Sequence, residues 1–482
     1  MIYNVLREPW IPMSDGHKYS LWDCLEHAHE LERVSCASPL ETYAVHRFLC
    51  AFVMDALQLP NKSARLALLK QGHFDMTVFD AYVGLCEQEG VSFDLFDKKR
   101  PFMQAQYNEN YDKELKSVAL IVPEYPSGNN HVFFEHVLEK ARSVTIDDAL
   151  VGVLSTYLYS TGGTQGPSSI NGVPCLYVTI HGKNLFESIV LNIISIKESG
   201  NLPYAKPAWR DMNVIEPNKT IPTVGLLEGL TWQPRRALLI KGNQEELSQV
   251  YFTAGKSFGR SPLWRDPHVP YSKKEDFYTS IKPKSGRSLW RDLGGLAVSK
   301  ENRFGKQPQV IAALPENWQL CKISVTGLIT EDATLVDVVH EEMLIPSAIL
   351  NDEDKGDTLH RDLGFIEEVH KLCGRILKEK FRLRTKNDHP SLRDDLQNCF
   401  LAAIRTFVFG TYFEALSQCV SDDDFMNLQS QVEEQVLKHL YHMFAHLTMR
   451  MGFDAKNILL QSDIQKQILD GYYSLRRKRN DE

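Results

Sequence analysis

The chain has 482 residues, too many for one ordinary domain and enough for roughly two to four. Hydrophobic residues make up 43% and charged residues 24%, the balance of ordinary globular proteins. Its 54 basic residues stand against 62 acidic ones, a net charge of −8 that argues against indiscriminate coating of nucleic acid while allowing local basic patches.

Two further classes recede. No run approaches the ~18 uninterrupted apolar residues of a membrane span, so no membrane partner is expected. The start, Met1 to Glu8, lacks a basic region followed by an apolar one, so no secretory leader is expected. The nine cysteines form no Cys-x-x-Cys pair. Their odd number and scatter predict reduced thiols in a cytoplasmic protein, with no zinc and no other cofactor.

Along the chain, Arg7-Glu8-Pro9-Trp10-Ile11-Pro12 turns through Asp15-Gly16 into an apolar stretch at Leu21-Trp22. Leu40, Tyr43, Ala44, Phe48, Ala51 and Met54 then make a helical stripe, with Ser38 as N-cap and Pro39 at the first helical position. Phe93 to Phe102 alternates and reads as strands around a charged loop. A polar loop over 122–136 carries two prolines, Gly128, Asn129, Asn130 and His131, which argues against a continuous helix or strand.

A helix is predicted from Asp147 to Tyr159, followed by the loop Ser160–Ser169, a strand at Cys175–Ile180 and a helix near Leu185–Ile196. From about 200 to 345 the pattern is β-like and proline-rich, with apolar runs at 236–241, 310–314 and 320–325. The acidic linker Asn351–Asp357 marks a change. Beyond it lie four apolar stripes at helical spacing, led by Leu359, Leu396, Phe425 and Leu460. Burying four stripes against one another predicts a four-helix bundle. The expected fold class is α+β: a large mixed N-terminal domain, 1–355, followed by the bundle, 356–482.

Candidate chemistry lies in loops and on one helix face. Gly128, Asn129, Asn130 and His131 combine close backbone approach with side chains that reach base edges or phosphates; the plain alternative is a surface loop. Gly162-Gly163-x-x-Gly166 fails as a phosphate loop, because no Lys-Ser/Thr follows and the next element is a strand. Lys256 and Arg260 sit in a basic, aromatic-flanked, glycine-containing segment of the kind that enters a narrow groove. Thr330-Glu331-Asp332-Ala333 reads on its own as a solvated turn. His439, His442 and His446 share a helical face, yet His-Glu-x-x-His is absent, and bundle packing is the simpler reading.

Four segments in series carry a resemblance: Pro9-Trp10-Ile11-Pro12, Arg100-Pro101-Phe102-Met103-Gln104, Pro126-Ser127-Gly128-Asn129-Asn130 and Gly229-Leu230-Thr231-Trp232-Gln233-Pro234. Together they resemble the large subunit of type I-E CRISPR Cascade, the CasA family, over the whole chain. The resemblance implies a non-catalytic subunit of an RNA-guided surveillance complex. Such a subunit reads the flanking motif (PAM) of double-stranded DNA, helps start the R-loop and recruits a helicase–nuclease. Implied partners are the crRNA-containing Cascade complex, with its backbone, 5′-handle-binding and small subunits, the target duplex and the helicase–nuclease.

It also implies site roles. The loop with Gly128, Asn129, Asn130 and His131 orders against Cascade and contacts the motif. Gly162 and Gly163 fall in a loop lying against the minor groove, with Ser160 where another glycine would stand. Lys256, one residue closer to the Leu263-Trp264 stretch than in relatives, enters the groove with Arg260 as substitute. Thr330, Glu331, Asp332 and Ala333 form a wedge after Gly327, with carboxylates in place of asparagine and glutamine. Two readings from other classes stay open: a metal-dependent hydrolase and a helical scaffold without a nucleic-acid role.

Overall fold

The computed structural model describes residues 2–106, 115–122, 143–163, 166–173, 175–213, 215–241, 246–259, 263–274, 277–297, 305–316, 318–331, 334–385 and 390–481. The chain packs as two compact units. The first holds Met1–Arg287, Pro308–Asn317 and Lys322–Met343; the second holds Ser288–Gln307, Trp318–Cys321 and Leu344–Glu482.

At the centre of the first unit lies helix α1, Pro39–Leu57. Its start follows from local chemistry. The Ser38 hydroxyl accepts from the Glu41 backbone N–H while the Glu41 carboxylate accepts from that of Ser38, a reciprocal capping box behind a proline at the first turn. The predicted stripe is only part of what it buries: nearly every residue from Leu40 to Asp55 is enclosed. Around it pack α2 (Ile146–Tyr159) and α3 (Leu185–Asn192).

Between those two helices runs strand β1, Leu176–His181. Strands β2 (Arg235–Leu239) and β3 (Gln249–Ala254) pair antiparallel, from Arg235↔Ala254 to Leu239↔Val250. A long hairpin follows, β4 (Leu320–Glu331) and β5 (Thr334–Pro346), and β4 pairs antiparallel with β1.

A buried ion pair ties α1 to the segment before the hairpin. The Arg47 guanidinium donates to Asp266 Oδ2 at 2.7 Å, with the two side chains 3% and 0% exposed. Removing both charges from water costs several kcal/mol per ion, so the pair persists only if the remaining groups are satisfied. They are. Arg47 also donates to Leu230 O, and Asp266 accepts from Asn171 Nδ2 and from the His268 backbone N–H. Burial by itself would raise the Asp266 carboxyl, but Arg47 and His268 hold it well below the usual carboxylate range.

In the second unit the expected bundle is present. Helices α4 (Glu353–Thr385), α5 (Pro390–Phe407), α6 (Phe413–Gln418), α7 (Asp422–Met451) and α8 (Ala455–Asp481) form it, with α5 running into α6 through a π-turn at Val408–Tyr412. Four long helical arms therefore pack together, and Leu363, Phe400, Val436 and Ile468, one from each stripe, are all buried. Ser391–Gln418 is long and apolar enough to cross a membrane by length and composition. In the unit it packs on α4 and α7 through Phe400, Ile404 and Leu416. A buried polar clip joins the arms: the Tyr412 hydroxyl donates to Asp362 at 2.7 Å, Arg479 donates to the same carboxylate, and Tyr472 donates to Glu433 O.

Local expectations fail in three places. The run 310–314 is a short helix, Gln309–Ala312, not a strand; Pro308 begins it, and Val310 and Ile311 bury on one side of a single turn. Phe93–Phe102 makes only an isolated bridge, Asn4↔Asp94, because the Asp94 and Asp97 carboxylates take up nearby backbone N–H groups and bend the chain. The helix begun at Leu185 stops at Asn192, short of Ile196, where the Asn192 side chain bonds both backbone groups of Ile180 on β1.

The ion pair gives a stability test. Arg47→Met strands a buried carboxylate and should lower unfolding free energy at neutral pH by ~3–5 kcal/mol, read by urea denaturation. The Asp266 pKa is depressed in the fold, so its contribution is full above the unfolded carboxylate value of ~3.9 and fades as pH falls. The gap between wild type and variant should therefore narrow below about pH 4.

Candidate nucleic-acid interface

The sequence-predicted residues distribute over three features of the first unit, and two of them touch. Residues Gly128, Asn129, Asn130, His131, Arg260, Asp332 and Ala333 lie outside the described residues, as does most of the 122–136 loop.

The first feature is the glycine turn between α2 and β1. Gly163 and Gly166 exchange both backbone hydrogen bonds, at 3.1 and 3.0 Å, closing a tight turn with φ +149° and +128°. Gly166 has no room for a side chain: a Cβ there would sit 2.8 Å from Ala254 Cα and 2.9 Å from Arg235 Nη1. Gly162 tolerates one, with ordinary contacts to Ser168. Ser160 ends α2 buried, its hydroxyl donating to Thr156 O.

Arg235, which the sequence reading overlooked, organises this turn. It is 3% exposed and donates to the carbonyls of Thr161, at 2.6 Å, and Pro167, one on each side of the turn. Among the described residues no carboxylate pairs with it, and burial pushes its guanidinium down to about 10. The only sequence cue was an arginine directly after the Trp232-Gln233-Pro234 signature.

The second feature is the end of β3. Gly166 packs on Ala254, two residues before Lys256, so the turn and the lysine segment adjoin. The Lys256 backbone N–H donates to Gln233 O at 2.9 Å, and its ammonium stands 5.8 Å from the centre of the Trp232 ring. That ammonium is not displayed to solvent. It donates to Asp211 Oδ2 at 2.8 Å and Glu228 Oε1 at 3.4 Å, and the residue is 8% exposed. Although burial raises the Asp211 carboxyl, Lys256 leaves it net lowered. Sequence reasoning missed both carboxylates because they come from segments 28 and 45 positions away.

The third feature is the hairpin. Pairing of β4 with β1 runs from Lys322↔His181 to Gly327↔Leu176 and stops there. Gly327 marks the departure: a Cβ would lie 2.8 Å from Cys175 O, so only glycine allows the strands to close at this point. Leu328 to Glu331 continue past the end of β1, with Leu328 and Ile329 buried and Thr330 half-buried. β4 thus continues past its pairing with β1 by about four residues, or ~13 Å at a strand's rise.

The remaining candidates gather no chemistry. His439 and His442 meet edge to face at 5.7 Å, and burial lowers the His439 pKa. Among the described residues no group of three or more His, Cys, Asp or Glu is arranged to hold a metal ion.

Comparison with known proteins gives one family. The sequence model of the CRISPR-associated protein Cse1 matches residues 4–468. A Thermus thermophilus protein described as CasA/Cse1 is 25% identical over 391 residues, covering 76% of this chain and 75% of its own length. The crystal structure of Thermobifida fusca Cse1 superposes with a TM-score of 0.76 at 18% identity, covering 99% of this chain and 98% of its own. A chain of a structure described as a CRISPR RNA-guided surveillance complex gives 0.76 at 16% identity, covering 97% and 99%.

The clamp on the glycine turn is testable in isolated protein. Arg235→Lys keeps the charge but cannot bridge the two carbonyls, and Arg235→Met removes it. Both should speed amide hydrogen exchange at Gly163 and Gly166 while leaving exchange along β2 and β3 unchanged. An unaltered turn in both would assign its shape to the glycines alone.

Proposed function

Because the chain belongs to the CRISPR-associated protein Cse1 family, we propose that it serves as the large, non-catalytic subunit of an RNA-guided CRISPR surveillance complex. In this reading it recognises the flanking motif of double-stranded target DNA, helps open the R-loop and recruits the helicase–nuclease. It works in the cytoplasm, beside the guide RNA and the other Cascade subunits. The bundle of residues 356–482 docks on the small subunits, while the loops of 1–355 face DNA.

One observation carries the proposal. The glycine turn, the Lys256 segment and the projecting hairpin are linked through β1 and β3 of the first unit. A turn held close to backbone geometry suits a minor groove, where shape and a degenerate acceptor pattern are read rather than a full base code. A hairpin that continues past the end of β1 suits mechanical separation of base pairs. In this reading a carboxylate brought close to phosphates is repelled, and its favourable base contact is a cytosine amino group. The net charge of −8 fits a subunit that borrows much of its DNA affinity from partners. Specificity for the remaining target then belongs to guide pairing, by analogy with single-protein effectors.

Lys256 must leave Asp211 and Glu228 to reach an acceptor in the groove. This exchange of partners makes the lysine a gated contact. The decisive measurement is a gel shift with assembled complex on matched targets carrying randomised flanks. Discrimination among flanks is expected, and uniform binding would refute the reading. In the same assay Lys256→Ala should weaken binding by ~1–3 kcal/mol without impairing assembly. Asp211→Asn, by removing a competing carboxylate, should strengthen it. Unchanged affinity in both variants would remove Lys256 from the interface.

A further inference from the structure

A cavity of about 260 Å³ opens at the root of the hairpin, away from the glycine turn and Lys256. It far exceeds the ~30 Å³ share of one water and approaches the size of small-ligand pockets. The first turns of α1 form one wall, β1 and α3 a second, and the facing strands β4 and β5 a third.

The chemistry of the lining is unusual for its lack of net charge. Three imidazoles face the space. Burial lowers His46 to about 3 and His181 to about 4, and it lowers His340 as well, so all three are neutral at physiological pH. His181 Nε2 lies 2.9 Å from the Ser324 hydroxyl, and His340 Nδ1 lies 2.9 Å from that of Thr326. The two charged residues of the lining, Arg33 and Glu342, pair with each other at 2.8 Å, and Lys322, outside the lining, also reaches Glu342 at 3.2 Å. At the N-terminus of α1 the capping box takes up the Ser38 and Glu41 backbone N–H groups, and Pro39 has none to offer.

These features select a ligand by exclusion. An anion finds neutral histidines and an occupied helix cap. A cation finds one carboxylate already held by two bases. Metal ions find no suitable ligand group among the described residues. An apolar molecule would offer no further hydrogen bond to hydroxyls and imidazoles that can each make more than one. What fits is uncharged and planar, with donors and acceptors on its edge and a face to set against rings such as Tyr43 and His46.

We propose that this cavity receives one uncharged nucleobase, presented as a free nucleoside or on a nucleotide extruded from a strand passing the hairpin root. Ring nitrogens and hydroxyls, each able to donate or accept, meet the base edge, as in pockets that read flipped bases. From Thr326 in the cavity wall to Glu331 at the end of β4 is five residues, or ~17 Å along the strand. A base held here would therefore lie behind the tip that parts the duplex. The extruded source rests on the proposed function; the nucleoside source does not.

The first test uses the isolated full chain. Saturation-transfer NMR and calorimetry with the four ribonucleosides, and ribose 5-phosphate as a charged control, should show saturable binding of at least one nucleoside and none of the sugar phosphate. Ala37→Trp plugs the mouth from an exposed position, and His340→Leu removes an exposed hydrogen-bonding ring. Each should weaken binding by roughly tenfold or more, the scale of a lost hydrogen bond; Ala37→Trp should leave the thermal midpoint unchanged, whereas His340→Leu, which also takes the partner of the buried Thr326 hydroxyl, should lower it. No transfer from any nucleoside, or binding undiminished in both variants, would overturn the proposal. So would equal binding of ribose 5-phosphate.

The second test places 2-aminopurine in the displaced strand of a target bound by assembled complex. A fluorescence rise suppressed by Ala37→Trp, with flank discrimination intact, identifies the extruded source. Nucleoside binding without that rise identifies the free one. Loss of flank discrimination in wild type would count against the proposed function and leave the nucleoside result standing.

Discussion

The Arg47–Asp266 pair is the constraint on which the first unit depends. Arg47 lies in the middle of α1, and Asp266 belongs to the irregular stretch between β3 and the hairpin. The pair reaches outward through hydrogen bonds. Asn171, after the glycine turn, donates to Asp266 and accepts from the Trp264 indole at 2.8 Å. His268 bonds to Asn192 O, and Asn192 grips Ile180 on β1. One buried salt bridge thereby fixes the strand that both follows the glycine turn and carries the hairpin. Such a pair adds little net stability over an apolar substitute, but losing one partner is costly. Its value here is positional.

Two cations in the candidate interface illustrate opposite solutions to burial. Lys256 is matched by two carboxylates from distant segments, a favourable resting state. Arg235 has backbone carbonyls for partners, and they hold its planar fork across the glycine turn. A guanidinium suits this task because its donors diverge in a fixed plane and it keeps its charge when desolvated. An ammonium has no such fork. Arg235 opens β2 and Lys256 follows the end of its partner β3 by two residues, so the glycine turn and the lysine share one support.

The hairpin has a similar division. Its base is anchored by pairing with β1 as far as Gly327, and its outer part continues without that neighbour. The cavity at its root is lined by the same strands that lead to its tip. Anything bound there would bear on β4 and β5, and thus on the part that projects.

Much of this was legible in the sequence. The start of α1 followed from Ser38 and Pro39, because capping is local chemistry decided within four residues, and Glu41 completes the cap in the fold. The bundle followed from apolar residues at a spacing of three and four, since that period admits only a helix with one buried face. The short signatures likewise pointed to the family that the whole chain matches. Other features required the fold. Val310 and Ile311 form a helix because Pro308 and the surrounding core, rather than their β propensity, set the backbone. Arg235 became important only when β3 brought Ala254 against Gly166, and Lys256 acquired its carboxylates from distant segments. Period and capping act over a few neighbouring residues and can be read along the chain. Ion pairing, close backbone approach and enclosed space depend on residues tens to hundreds of positions apart, and only the tertiary structure determines which of them meet.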